Sequence, residues 1–206
     1  GKTVLRHTLD NLKASSPDTD QYVIVHAQGD ERMTEAIKGF LPTPICVTGG
    51  ATRSQSVKAG MQALIDNPPD IVFIHDAARP FVSKNVINAM IEKLETVQAA
   101  APVLPVVDAV KIFDDGRLGK DVERNGIKRI QTPQGFRYND IWPAYENMNG
   151  DENYSDDIAV ARAAGLSIGS VEGDEKTFKI TYPEDLEKAR RQLNEDITMN
   201  TYIATG

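Results

Sequence analysis

The sequence predicts an α/β fold: a doubly wound, mainly parallel sheet from which a two-stranded β-arm protrudes. Three observations carry that expectation. Short β-branched runs at 22–25, 45–47 and 71–74 alternate with helix-length amphipathic stretches, the pattern of successive βα units. The run Ile71-Val-Phe-Ile74 shows no polar alternation, as in a central parallel strand covered on both faces, and it stops abruptly at His75, Asp76 and Arg79. From Asp108 to Ile130 the residues alternate loosely around the turn Asp114-Asp115-Gly116, which describes a ribbon with little apolar surface to bury on its own.

Taken in order, Leu5, Leu9 and Leu12 share one face of an opening helix. A right-handed βαβ unit normally opens with its strand, so a strand and loop are expected ahead of Gly1. Tyr22–Val25 is the first strand. Met33, Ile37 and Leu41 mark a helix that starts near Gly29 or Asp30 and is closed by Pro42 and Pro44. Ile45-Cys46-Val47 is a second strand with Cys46 buried and inert. Thr48-Gly49-Gly50 leads into a helix over 52–67 that turns Val57, Met61, Leu64 and Ile65 inward. After the strand at 71–74, Ser83 caps a helix with the core stripe Ile87, Met90, Ile91 and Leu94. Residues 101–107 supply another central strand, and the arm spans about 108–130. It either leans on a second copy of the chain or folds back on its own domain. Phe136, Ile141, Trp142 and Tyr145 begin a helix, Ser155 or Asp151 caps another over 156–164, and 168–171 and 178–180 are the last strands. Thr181-Tyr-Pro-Glu184 is a capping-box start with Pro in the first turn, and Leu186, Ala189 and Leu193 mark the buried side of the final helix. One domain accounts for 1–197. The tail 198–206 stands apart, with Tyr202-Ile203 reading as the beginning of a strand.

Composition narrows the function. A single cysteine excludes an internal disulfide and fits the reducing cytoplasm. No apolar run approaches membrane-spanning length. The formal net charge of -7, with bases scattered among acids, argues against a nucleic-acid surface. A small anionic substrate then requires a local cluster of Arg and Lys, a metal ion, or both. There is no G-x-G-x-x-G after a strand, no P-loop, no zinc spacing and no nucleophile elbow.

What remains is a set of anion-directed groups at strand ends, where ligands bind in open α/β sheets. Gly49 and Gly50 let backbone approach a ligand, and the helix start beyond them, with Arg53, Ser54 and Ser56 on its first turns, attracts anions. The bland alternative is a plain loop with a Ser/Thr cap. Asp76 with Arg79 forms a second group, for which the alternative is a turn cap paired across the surface. Arg124 on the arm and Lys179 at a late strand complete the set. A lone carboxylate among cations suggests a hard divalent ion bridging phosphates, a constellation suited to phosphoryl or nucleotidyl transfer.

The segments GGATRSQSV (49–57), IHDAARPF (74–81), ERNGIKRIQTPQGF (123–136), YSDD (154–157) and FKITYPEDL (178–186) occur in the order seen in 2-C-methyl-D-erythritol 4-phosphate cytidylyltransferases, which this chain resembles up to about residue 197. The resemblance implies a Rossmann-like fold, CTP and methylerythritol phosphate as substrates, magnesium or another divalent cation as cofactor, and a homodimer formed through the arm. It implies that Gly49, Gly50, Arg53, Ser56, Asp76 and Ala77 contact the nucleotide. Asp76, Arg79, Arg124, Ser155 and Lys179 would contact the acceptor. Asp76 would support the metal, directly or through phosphates, and Arg124 and Lys179 would position the acceptor for attack, Arg124 in the neighbour's site. The family's Gly-rich amino-terminal loop has no counterpart here, so the residues shown are not expected to catalyse unaided. Ala51 and Ala109 stand where the family often has an acid and a Thr. The tail resembles the first strand of the cyclodiphosphate synthase domain of bifunctional fusions. Two other readings stand beside this one: a cytidylyltransferase for another polyol phosphate such as ribitol phosphate, and a non-catalytic dimerisation module.

Overall fold

The computed structural model describes residues 1–149 and 154–203, with side chains described through 194. Helix α1 (Val4–Ser15) is capped by Thr3, whose side chain accepts from the Arg6 amide. Strand β1 (Val23–His26) pairs in parallel with β2 (Ile45–Thr48), and α2 (Arg32–Ile37) connects them. Then follow α3 (Arg53–Gln62), β3 (Ile71–Ile74), α4 (Lys84–Leu94) and β4 (Ala99–Pro105). The arm consists of β5 (Val110–Asp114) and β6 (Arg117–Val122). Strands β7 (Lys128–Ile130) and β8 (Gln134–Arg137), helices α5 (Tyr138–Glu146) and α6 (Asp157–Ala163), strand β9 (Ile168–Glu172) and helix α7 (Pro183–Ile203) complete the chain.

Doubly wound packing follows from the period of two in β4. Ala99 and Ala101 face a core of Met61, Phe136, Tyr138, Ile141 and Tyr145 under α3, α5 and α6, whereas Ala100 faces Val86, Ile87, Met90 and Leu94 of α4. Alanines at the centre let helices approach both faces closely. A third cluster, Leu9, Tyr22, Ile24 and Phe40, joins α1 to β1.

The strand pairings are more mixed than the sequence suggests. β4 lies parallel to β9, but β8 runs antiparallel to both β3 and β4, and β7 is antiparallel to β4. β3 is therefore not flanked by parallel neighbours: among the described residues it pairs with β8 alone, and all four of its residues are half-buried. β8 was not anticipated. Phe136, expected at a helix start, is fully buried within it.

Local differences have plain causes. Helix α2 ends at Ile37 because Gly39 takes a left-handed φ of 68°, which leaves Leu41 outside the helix and exposed. Cys46 is exposed, because β2 is paired only with β1 among the described residues and presents an open edge. Helix α3 stops before Leu64 and Ile65; Leu64 stays buried and Ile65 is exposed. Asp156 caps α6, not Ser155, and Asp151 lies outside the described residues. Residues 178–180 form no strand; the Ile180 amide donates once, to the Ala78 carbonyl at 2.9 Å. At the start of α7 the carboxylate that reaches back is Asp185, which accepts from the Thr181 and Tyr182 amides at 2.9 Å each. Tyr202 and Ile203 are helical, a continuation of α7.

The arm turns at Asp115 (φ 42°) and Gly116 (φ 74°), the left-handed pair that matches hairpin twist. Its paired residues run from Val110 to Val122, and Lys128–Ile130 returns to the main sheet. Ile112, Phe113 and Leu118 are exposed on it.

Candidate active site

At the carboxyl end of β3 the chain makes a tight turn in which the Arg79 amide donates to the Asp76 carbonyl at 3.0 Å. The Asp76 carboxylate meets two cations at the same oxygen: Arg79 Nε at 3.1 Å and Lys179 Nζ at 3.3 Å from Oδ2. Burial alone would raise the Asp76 pKa, but the nearby Lys179 and Arg79 charges outweigh it and hold the carboxyl below its usual range. Asp76 is thus ionised, and the cluster carries an excess of one positive charge. The turn-cap alternative is also realised, since Arg79 pairs with Asp76 within one turn; Lys179, from a segment a hundred residues away, is what makes the cluster more than a cap.

His75 locks this turn. Burial lowers its pKa to about 4, so the imidazole is neutral near pH 7 and carries one ring proton. Nε2 donates to the Arg79 carbonyl at 2.9 Å, which leaves Nδ1 to accept from the Thr132 hydroxyl at 3.1 Å. Thr132 Oγ1 in turn accepts from the Asp76 amide at 3.0 Å. Ala77 is tied to α1, its carbonyl accepting from Thr8 Oγ1 at 2.6 Å.

The Gly49-Gly50 loop is organised differently from expectation. Its amides are largely satisfied within the loop: Gly50 N donates to Ser56 Oγ at 3.2 Å, and Ala51 and Thr52 donate to Gln55 Oε1 at 2.8 and 3.3 Å. Thr52 and Gln55 form a full capping box on α3. A Cβ at Gly49 would lie 2.6 Å from Ser56 Oγ, and one at Gly50 would meet the Gln55 side chain. These glycines are therefore required first for packing onto the helix start.

Arg53 faces inward. Its Nη1 and Nη2 pair with Asp157 Oδ1 and Oδ2 at 2.9 and 2.5 Å, and Tyr145 Oη donates to Asp157 Oδ1 at 2.5 Å. Asp157 is 0% exposed. Burial would lower the Arg53 pKa, but the Asp157 hydrogen bonds and charge raise it. Burial and then the Asp157 charge push the Tyr145 hydroxyl far up, so it stays a donor.

The segment 131–134 connects these groups. Thr132 holds the Asp76 turn. Gln134, 1% exposed, accepts at Oε1 from the Asp157 and Ile158 amides at 3.0 Å each and donates to Asp156 Oδ2 at 3.2 Å. The structure thus brings Asp76, Arg79 and Lys179 together, and Gly49, Gly50, Ser56 and Arg53 along α3. Ser155 lies exposed just before the α6 cap. Arg124, on the turn after the arm, donates to the Val107 carbonyl at 2.5 Å and has no ion pair among the described residues. His75 was noted at the strand end beside Asp76 and Arg79 but given no role, and Gln131, Thr132, Gln134, Tyr145 and Asp157 were not singled out from the sequence as site residues. The signal for Asp157 was its place on the apolar face of α6, beside Ile158 and Ala161. For 131–134 it was polar side chains crowded between two apolar runs.

A divalent cation would find one carboxylate here. Among the described residues no group of three or more His, Cys, Asp or Glu could hold a metal ion. Both cationic partners of Asp76 use Oδ2, so Oδ1 remains to face a cation. One carboxylate plus substrate phosphates is a customary magnesium environment, and the donor set fits. Among the described residues no helix is long and apolar enough to cross a membrane.

Similarity to known proteins identifies the family. The family model described as IspD, 2-C-methyl-D-erythritol 4-phosphate cytidylyltransferase, matches residues 1–195. A 2-C-methyl-D-erythritol 4-phosphate cytidylyltransferase from Cereibacter sphaeroides is 39% identical over 194 residues, covering 94% of this chain and 85% of that one. A bifunctional enzyme IspD/IspF from Erythrobacter litoralis is 40% identical over 185 residues, covering 90% of this chain and 47% of its own length. This chain thus spans about half the length of the bifunctional relatives it matches. The crystal structure of 2-C-methyl-D-erythritol 4-phosphate cytidylyltransferase from Thermus thermophilus superimposes with a TM-score of 0.80 at 32% identity, covering 94% of this chain and 90% of that one. These neighbours carry the Rossmann-like nucleotidyltransferase fold. The chain belongs to the 2-C-methyl-D-erythritol 4-phosphate cytidylyltransferase family.

Proposed function

We propose that this chain transfers the cytidylyl group of CTP to 2-C-methyl-D-erythritol 4-phosphate, releasing pyrophosphate, on the route to isoprenoid precursors. The observation that carries the reading is the Asp76 carboxylate set between Arg79 and Lys179 at the end of β3 in a chain of this family. In the reaction an oxygen of the acceptor phosphate attacks the α-phosphorus of CTP. The bond from that phosphorus to the pyrophosphate oxygen breaks, and the electron pair leaves with pyrophosphate.

Two anions must meet for this to happen, so positioning and neutralisation supply most of the catalysis. Lys179 is half-exposed, so its ammonium can turn from Asp76 toward the acceptor phosphate. Arg79, held by Asp76 and by the Thr177 carbonyl at 2.9 Å, gives a fixed guanidinium edge. Gly49, Gly50, Arg53, Ser56 and Ala77 form the nucleotide side, and Ser155 faces the acceptor. Magnesium, or another divalent cation, would be held by Asp76 Oδ1 together with the triphosphate. When bound it neutralises triphosphate charge.

The arm makes the protein a homodimer in this reading. Phe113 and Leu118, opposite one another and 69% and 75% exposed, need a partner surface, and the natural one is a second copy. Arg124 then serves the neighbour's acceptor site. The exposed, unpaired Cys46 suits the reducing cytoplasm.

In the full-length protein, Arg124→Ala and Lys179→Ala should each lower kcat/KM for the acceptor by on the order of 100-fold. Calorimetry should show CTP binding within about threefold of the parent. Equal loss of CTP binding in both variants would refute the assignment of roles, and faster turnover of ribitol phosphate would refute the acceptor.

A further inference from the structure

Gln131 sits where β7 gives way to β8, and its amide donates to the Pro102 carbonyl of β4 at 2.9 Å. Gly173 follows β9 on the opposite edge of β4 and donates to the Val103 carbonyl at 2.9 Å. The Gln131 side chain, 5% exposed, crosses between them. Its Nε2 donates to the carbonyls of Asp174 and Thr177 at 2.9 and 3.2 Å, and its Oε1 accepts from the Asp174 amide at 3.1 Å. One buried amide thus fixes the loop 174–177 to the sheet with all of its bonds directed at backbone.

That loop leads straight into the site. The Thr177 carbonyl that receives Gln131 also receives Arg79 Nη1, and Thr177 Oγ1 donates to the Phe81 carbonyl at 3.1 Å. Two residues on, Lys179 reaches Asp76, and Ile180 N bonds to the Ala78 carbonyl. A Cβ at residue 173 would fall on Gln131 Oε1, with Leu104 Cγ and the Val103 carbonyl oxygen next at 3.2 Å. Gly173 is therefore what leaves room for the amide.

We infer that Gln131 and Gly173 form a latch that positions Arg79 and Lys179 toward the acceptor phosphate. Neither touches the reacting atoms; both act through the loop 174–177. The inference rests on the acceptor-site reading above, and the test separates the two.

In the full-length protein, Gln131→Ala removes the latch and Gly173→Ala displaces it while leaving every hydrogen-bonding group present. Gly173→Ala keeps the Gln131 amide and all of its backbone partners, so it should cost less stability than Gln131→Ala, and thermal unfolding of both variants identifies which are folded before kinetics are compared. Rates of pyrophosphate release, with methylerythritol phosphate varied at saturating CTP and magnesium, should show about a tenfold fall in acceptor kcat/KM for each variant. CTP affinity by calorimetry should stay within about twofold, and Gly173→Ala should add less than about twofold in the Gln131→Ala background. Folded single variants with parental acceptor kinetics, an equal loss of CTP affinity, or effects that multiply in the double variant would each overturn the latch. Lys179→Ala assayed alongside distinguishes the failures: if it too spares acceptor use, the acceptor-site reading is at fault and the latch falls with it.

Discussion

The Asp76 wall and the β5–β6 arm differ in what holds them. The wall is fixed by buried polar side chains with specific partners: Thr132 on the turn, Gln134 on the start of α6, Gln131 on the loop before Lys179. The arm is held by its own ladder and displays apolar side chains to solvent. Such networks rigidify when every member is satisfied, whereas a two-stranded ribbon is marginal by itself. The wall is thus organised within the chain, whereas in the proposed reading the role of Arg124 depends on what covers the arm.

The largest effect should come from the most buried charge. Asp157→Ala strands the inner face of Arg53 and the Tyr145 hydroxyl, and chemical denaturation should show a loss on the order of 3 kcal/mol. Asp157→Asn should lose less, since it can still accept from Tyr145. Equal stability of Asp157→Ala and the parent would mean that the network does not hold the wall.

Next comes pH. His75 has a folded pKa near 4 against an unfolded value of 6.5, so below pH 6.5 the unfolded state binds the proton and the folded state does not. Its contribution is intact above that window, declines as pH falls through it and levels off near pH 4, a loss on the order of 3 kcal/mol. Asp76, with its pKa lowered, adds its own loss only at more acidic pH. A His75→Gln variant, which keeps a donor for the Arg79 carbonyl, should have a flatter stability profile between pH 6.5 and 4. An unchanged profile would remove His75 as the titrating group.

The smallest effect on stability should fall on the arm. Phe113→Asp and Leu118→Asp should change monomer stability by no more than about 0.5 kcal/mol, yet abolish dimerisation in sedimentation experiments. A stable dimer in both variants would place the interface elsewhere.

The sequence shows these regions unequally. The helix faces of α1 and α4, the Ser83 cap and the arm's turn were legible because apolar period and turn chemistry are local signals; the exception is Ile91, expected in the α4 core stripe but exposed at the edge of that face, where Val86 is buried instead. Strand β8 was not, because Gln134 and Gly135 look like a loop. Gly135 is buried because Phe73, Met90 and Leu94 close over its missing Cβ. Cys46 misled for a related reason: an apolar run says nothing about whether its strand lies at an edge. At the site, Asp76 and Arg79 could be named from charge at a strand end; Lys179 was expected on a late strand that the fold does not form, and it reaches Asp76 from an irregular segment instead. Their supports could not be named, since a buried Gln or Thr carries no mark in sequence of the distant backbone that it will bind. Arg53 was expected to face the ligand, and only the fold reveals the Asp157 carboxylate 104 positions away that holds it.

The claim that the site is shared between subunits can be tested by mixing. Full-length Arg124→Ala and Lys179→Ala proteins, each nearly inactive, are unfolded together and refolded as a mixture. If Arg124 serves the neighbour's site, each heterodimer has one site free of both lesions, and random assembly should restore about a quarter of parental activity. If the mixture is no more active than its two parents, Arg124 acts within its own subunit or not at all, and the account of a shared site is wrong.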